Sequence, residues 1–187
     1  MSILVLGPSK WKEGYAPAKV PRVDPADLEG MAGPPPNLSS PLAVRGWLVR
    51  FLREVEGVRA TMMELHAPKP GETHTALFNR LCHEARVDGF FVFWPYGAQR
   101  SGLDVELGFL LWQFEHGRSP DVRIFAETGE HRAAKVVDGH LVVLEQGSRT
   151  RYYEDLVQYG AAIAEWSDYS ELLESIYHHA HDWLNET

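Results

Sequence analysis

The chain predicts a single α/β domain, spanning residues 1–187, with a mostly parallel sheet covered by helices on both faces. Three observations predict it. Strand-type and helix-type segments alternate from Ile3 to Ala126 in the order β-α-β-α-β-α-β. The run Val87-Asp88-Gly89-Phe90-Phe91-Val92-Phe93-Trp94 is short, β-rich and apolar, and Pro95-Tyr96-Gly97 closes it, as for a buried parallel strand turning into a loop. The segment behind it, Ser101-Gly102-Leu103-Asp104-Val105-Glu106-Leu107-Gly108-Phe109, opens a helix that is otherwise almost wholly apolar.

The elements follow in order. Ile3 to Leu6 is the first strand, ending at Gly7-Pro8-Ser9. Residues 10–38, rich in Pro and Gly, have no sustained period and read as a lid loop over a ligand crevice. Ser40-Pro41 supplies an N-cap and a first-turn proline, after which Val44, Trp47, Leu48, Phe51, Leu52 and Val55 recur at helical spacing. Gly57 stops that helix, Val58 to Leu65 reads as a second strand, and Glu72 to Arg86 as a second helix with Leu77, Leu81 and Ala85 on one face.

Gly89 to Trp94 is the third strand, Gly102 to about His116 the third helix, and Val122 to Ala126 the fourth strand. Asp138-Gly139 between β-branched runs marks a hairpin insertion over 131–145. A short helix over Tyr152 to Tyr159, a fifth strand from Ala161 to Trp166, and a last helix capped by Ser167-Asp168 complete the chain. The five-stranded order expected is flavodoxin-like, or more broadly Rossmann-like.

With 44% hydrophobic and 24% charged residues the composition is that of an ordinary soluble domain, and no apolar run reaches the roughly 20 residues of a membrane helix. The N-terminus lacks the basic leader of a signal peptide. Cys82 is the single cysteine, so no intrachain disulfide forms and a cytoplasmic location is expected. A net charge of −8 argues against nucleic acid and anionic membrane as partners and points to a small molecule.

Glu106 is the best candidate for chemistry. An acid near a helix N-terminus gains from the macrodipole, which is a sufficient structural reason for it. It also lies among Val105, Leu107 and Phe109, where a charge is seldom buried without purpose. Ser101 and Asp104 form a capping-box-like start that structure alone explains. Trp94 and Tyr96 at the strand end can stack on a nucleobase or pack in the core. Glu64 and His66 after the second strand can face the crevice and protonate a leaving group, or be ordinary strand-end polar residues. His178, His179 and His181 read as a solvated helix surface, since no carboxylate or cysteine pattern completes a metal site. Cys82 reads as core.

Gly102-Leu103-Asp104-Val105-Glu106-Leu107-Gly108-Phe109, preceded by Asp88-Gly89-Phe90-Phe91-Val92-Phe93, resembles the signature of the nucleoside 2-deoxyribosyltransferase family. The first strand with Gly7-Pro8 is similar to that family's opening strand and turn. The resemblance covers this strand and residues 77–126, and the Toll/interleukin-1 receptor-like NAD hydrolases share the architecture. It implies cleavage of an N-glycosidic bond in a nucleoside or nucleotide, with Glu106 as nucleophile and retention at the sugar carbon. The expected substrate-binding residues are Gly7, Pro8, Ser9, Trp94, Tyr96, Arg100, Ser101 and Gly102, no metal or redox cofactor is expected, and the resemblance implies a homo-oligomer.

The chain departs from the family where Arg80 and Arg100 stand at the positions of two acids. An arginine beside a helix N-terminus suits phosphate, which moves the expectation toward a 5′-nucleotide, although an isolated Arg100 is also an ordinary surface residue. The alternatives are a Toll/interleukin-1 receptor-like NAD hydrolase and a non-catalytic nucleotide-binding or interaction module, the latter favoured by the loss of both acids.

Overall fold

The computed structural model describes residues 1–11, 40–84, 87–95, 98–99, 101–127, 134–137, 140–143 and 154–186. Of the expected lid, residues 10–38, all but Lys10 and Trp11 lie outside the described residues, as do Tyr96 and Arg100. The central strands are β1 (Ser2–Leu6), β3 (Arg59–Thr61), β4 (Gly89–Trp94), β6 (Asp121–Glu127) and β9 (Ala162–Trp166). They lie side by side in the order β3-β1-β4-β6-β9, and every pairing is parallel. This is the flavodoxin-like order expected from the alternation.

The period-2 geometry of the strands divides the core into two layers. Ile3, Val5, Phe91 and Phe93 turn to one face, where α1 (Pro41–Glu54) and α5 (Tyr169–Glu186) cover them. Leu4, Leu6, Phe90, Val92 and Trp94 turn to the other, against α2 (His74–Glu84) and α3 (Ser101–Glu115). β4 is buried along its whole length, which is why it reads as a continuous apolar run with no polar alternation.

Helix starts follow their sequence signals. Ser40 Oγ accepts the Ala43 amide at 3.2 Å with Pro41 in the first turn, and Asp168 accepts the Glu171 amide at 3.0 Å while Glu171 reaches back to the Ser167 amide at 2.7 Å. A short helix, α4, covers 154–158.

Four boundaries differ from expectation. The second strand ends at Thr61, and Met63–Leu65 forms a 3₁₀ turn. β3 is an edge strand paired only with Ser2 to Leu4, and the turn sends Met63 into the core while bringing Glu64 to Arg45. The second helix begins at His74 because Thr73 Oγ1 takes the Ala76 amide, and Glu72 stays outside, bonded to the Lys69 amide and to Arg80. Ser101 is the first residue of α3, not its cap. The segment after β1 does not begin as loop: β2 (Lys10–Trp11) pairs antiparallel with β5 (Ala98–Gln99), a ribbon that links the exits of β1 and β4.

In the 131–145 region, β7 (Ala134–Val137) and β8 (His140–Val143) pair antiparallel as a separate two-stranded sheet, and the turn between them lies outside the described residues. Among the described residues, no helix is long and apolar enough to cross a membrane.

Gly89 is required by packing. A Cβ there would lie 1.5 Å from the Trp183 ring of α5, which stacks on Phe91 at 6.0 Å. Gly89→Ala forces the indole out of its slot, and overpacking of this kind costs about 1–3 kcal/mol. The expected result is a melting temperature lower by roughly 2–12 °C. An unchanged melting temperature would mean that the Trp183 slot is loose.

Candidate functional site

The first crossover carries the chain from β1 to β3 on one side, and the next places β4 on the other side of β1. The helices that follow β1 and β4, α1 and α3, lie on opposite faces of the sheet, and a crevice opens at the carboxyl ends of these strands, the usual ligand position in an open α/β sheet. A cleft of about 260 Å³ lies there, lined by Gly7, Pro8, Ser9, Lys10, Glu64, His74, Gly102, Leu103 and Glu106. Its volume falls slightly below the span of about 300–1,000 Å³ usual for small-molecule sites.

Glu106 stands in the second turn of α3 with 4% of its surface exposed. Leu103, Leu107 and Leu110 on the same helix are fully buried, so the face that carries Glu106 is held against the core. Its Oε1 lies 3.3 Å from His74 Nε2, while Oε2 is buried and has no hydrogen-bond partner. Burial, the main cause, pushes the Glu106 carboxyl above the usual carboxylate range, against the opposing pull of His74 and Arg45. The hydrogen bond to Glu106 holds His74 above its ordinary value. The two groups thus form a coupled pair at the cleft wall.

Behind the cleft-lining Ser9 and Glu64, to which it bonds, α1 buries Arg45 at 1% exposure. Its guanidinium forms a two-pronged ion pair with Glu64, Nη1 donating to Oε2 at 3.2 Å and Nη2 donating to Oε1. Nη2 also donates to Ser9 Oγ at 3.0 Å, and Ser9 Oγ donates to Glu64 Oε1 at 3.3 Å. Gly7 makes room for this cluster, because a Cβ there would lie 2.8 Å from both Arg45 Cδ and the Phe93 carbonyl oxygen.

The fold brings Gly7, Pro8, Ser9, Glu64, Gly102 and Glu106 of the expected site residues to one cleft. Trp94 is 3% exposed in the core layer beneath α2 and α3, which is the packing role also open to it. His66 lies outside the cleft lining, with Nε2 2.7 Å from Thr61 Oγ1. Ser101 is placed at the start of α3. Arg80 is committed to Glu72, bonding it at 2.7 and 2.9 Å and holding that carboxyl down at about 2.

Sequence reasoning missed Arg45, His74 and Lys10. Arg45 left a usable signal, a charge three and seven residues before Leu48 and Leu52 on the inward stripe of α1. His74 left none, since its partner is 32 residues away. Cys82 is pushed up to about 12 by burial and by the Glu106 charge, an inert thiol. Among the described residues, no group of three or more His, Cys, Asp or Glu side chains is arranged to hold a metal ion. Compared with protein-family models, curated proteins and solved structures, the chain matches none.

Proposed function

We propose that this protein cleaves the N-glycosidic bond of a nucleoside or nucleotide, with Glu106 as nucleophile. The observation that carries the reading is the Glu106 carboxylate itself: buried, in the cleft at the sheet's switch point, with one oxygen on His74 and the other unpartnered. A buried, unsatisfied carboxylate oxygen costs stability, and such costs concentrate where a ligand supplies the missing partner. An electron-poor anomeric carbon is such a partner. The likeness of residues 101–109 to the nucleoside 2-deoxyribosyltransferase signature supports the same chemistry.

In the proposed reaction Oε2 attacks the anomeric carbon as the bond to the base breaks, and an oxocarbenium-like transition state is stabilised by the nearby charge. When Glu106 becomes an ester its negative charge disappears. The main cause that raised His74 disappears with it, and the imidazolium then surrenders its proton to the departing base. Neutral His74 next takes a proton from the water or acceptor that resolves the glycosyl-enzyme.

The test is release of free base from a panel of nucleosides, 5′-nucleotides and NAD. Base released from NAD alone would select the Toll/interleukin-1 receptor-like hydrolase reading. Binding with no release from any member would select a non-catalytic nucleotide-binding module.

The pair also sets a pH profile. Glu106 must be ionised and His74 protonated, and both are shifted upward, so kcat/KM is expected to rise above the ordinary carboxylate range and fall above the ordinary imidazole value. His74→Asn is expected to remove the alkaline limb and slow the reaction by roughly 10²–10⁴-fold. An alkaline limb that persists in the folded variant would exclude His74 from proton transfer.

A further inference from the structure

We infer that Glu64 and Ser9, both held by Arg45, receive the vicinal hydroxyls of a ribose, so that the substrate is a ribonucleoside or ribonucleotide and not a 2′-deoxy compound. The inference rests on the glycosidic reading for its substrate class, and it adds which sugar the cleft takes.

Glu64 lines the same cleft as Glu106 and follows β3, the strand beside β1. In dinucleotide-binding Rossmann folds an acid takes the ribose 2′-hydroxyl. Here the carboxylate is built for that role. Arg45 grips both oxygens with separate guanidinium nitrogens, and Arg45 is itself 1% exposed. The carboxylate therefore cannot swing; its Oε1 already accepts from both Arg45 and Ser9, the lone pair left over is on Oε2, and 31% of the side chain is exposed where Glu64 lines the cleft.

Glu64 Oε2 and Ser9 Oγ each keep one lone pair for an incoming donor, so the subsite offers two acceptors on side chains that both line the cleft. Two hydroxyls on neighbouring carbons present two adjacent donors. Ser9 Oγ, already bonded to both Arg45 and Glu64, fixes the rim of the same subsite. A 2-deoxy sugar leaves one acceptor unmatched, and each hydrogen bond to a charged group is worth roughly tenfold or more in affinity.

The experiment measures binding and base release in parallel for the four common ribonucleoside 5′-monophosphates and for their 2′-deoxy and 3′-deoxy counterparts. The wild-type protein is expected to prefer the ribo compound roughly tenfold or more over each deoxy analogue. Glu64→Gln keeps an oxygen for Arg45 but loses the charge and one acceptor, and it is expected to erase most of that preference. Should Glu64→Gln fail to fold, Ser9→Ala is expected to narrow the same ratio, and the wild-type comparison decides by itself.

Ribo-selective binding without base release would leave the sugar subsite standing and overturn the glycosidic reading. Base release with equal or better use of 2′-deoxy compounds would do the reverse. A ribo preference unchanged in folded Glu64→Gln would overturn the assignment to Glu64, and binding of no member would overturn both.

Discussion

Glu106→Gln is expected to lower base release by at least roughly a thousandfold while leaving the melting temperature equal to, or above, that of the wild type. The amide keeps the shape of the side chain and an oxygen for His74, but it has no anionic oxygen to attack the sugar. The stability half of this expectation follows from burial. The folded protein raises the Glu106 carboxyl, so ionising it opposes folding: the contribution of this group to stability is full below the unfolded pKa and is lost as pH rises through the folded one. A neutral side chain avoids that loss. Active sites commonly hold such groups at the expense of stability. Activity assays and thermal unfolding at neutral pH check the two halves separately. Wild-type rates in the variant would remove Glu106 as nucleophile, and a collapsed fold would make it a structural residue.

The second large effect is asymmetric. Glu64→Ala leaves the Arg45 guanidinium buried, charged and without its carboxylate, the situation that costs about 3–5 kcal/mol. The expected fall in melting temperature is roughly 6–20 °C. Arg45→Met removes the buried charge and leaves Glu64, which at 31% exposure is partly solvated, so the expected fall is smaller. Parallel thermal melts of the two variants check the order. Equal losses would mean that Arg45 reaches solvent when its partner is gone, and a larger loss in Arg45→Met would mean that packing of its aliphatic stem outweighs the charge.

How much of this molecule is legible in its sequence depends on the range of the interaction. The run 89–94 has its limits written in it, because a strand buried on both faces must be apolar throughout and Gly89 and Pro95 punctuate it. The start of α1 is legible in Ser40-Pro41 for an equally local reason, since the cap bonds lie within a single turn. The end of the second strand was not legible. Val58 to Leu65 carries strand propensity, but an edge strand extends only as far as its neighbour pairs with it, and β1 supplies partners for Arg59 to Thr61 alone.

The candidate site divides along the same line. Glu106 stands out in sequence because a charge in an apolar helix violates a local pattern, and the alternation of elements places it at the carboxyl end of a parallel sheet. Which residues face it is another matter. His74 meets Glu106 across 32 positions, and Arg45 meets Glu64 across 19 and Ser9 across 36. Those encounters require β3 and β4 to flank β1 on opposite sides, so that the exits of three strands and the starts of two helices converge on one cleft. Sequence periodicity fixes which face of an element is apolar, and hence the fold class and the identity of one anomalous carboxylate. The order of strands in the sheet decides which polar side chains become neighbours, because charges separated by tens of residues interact only through the distance that packing gives them.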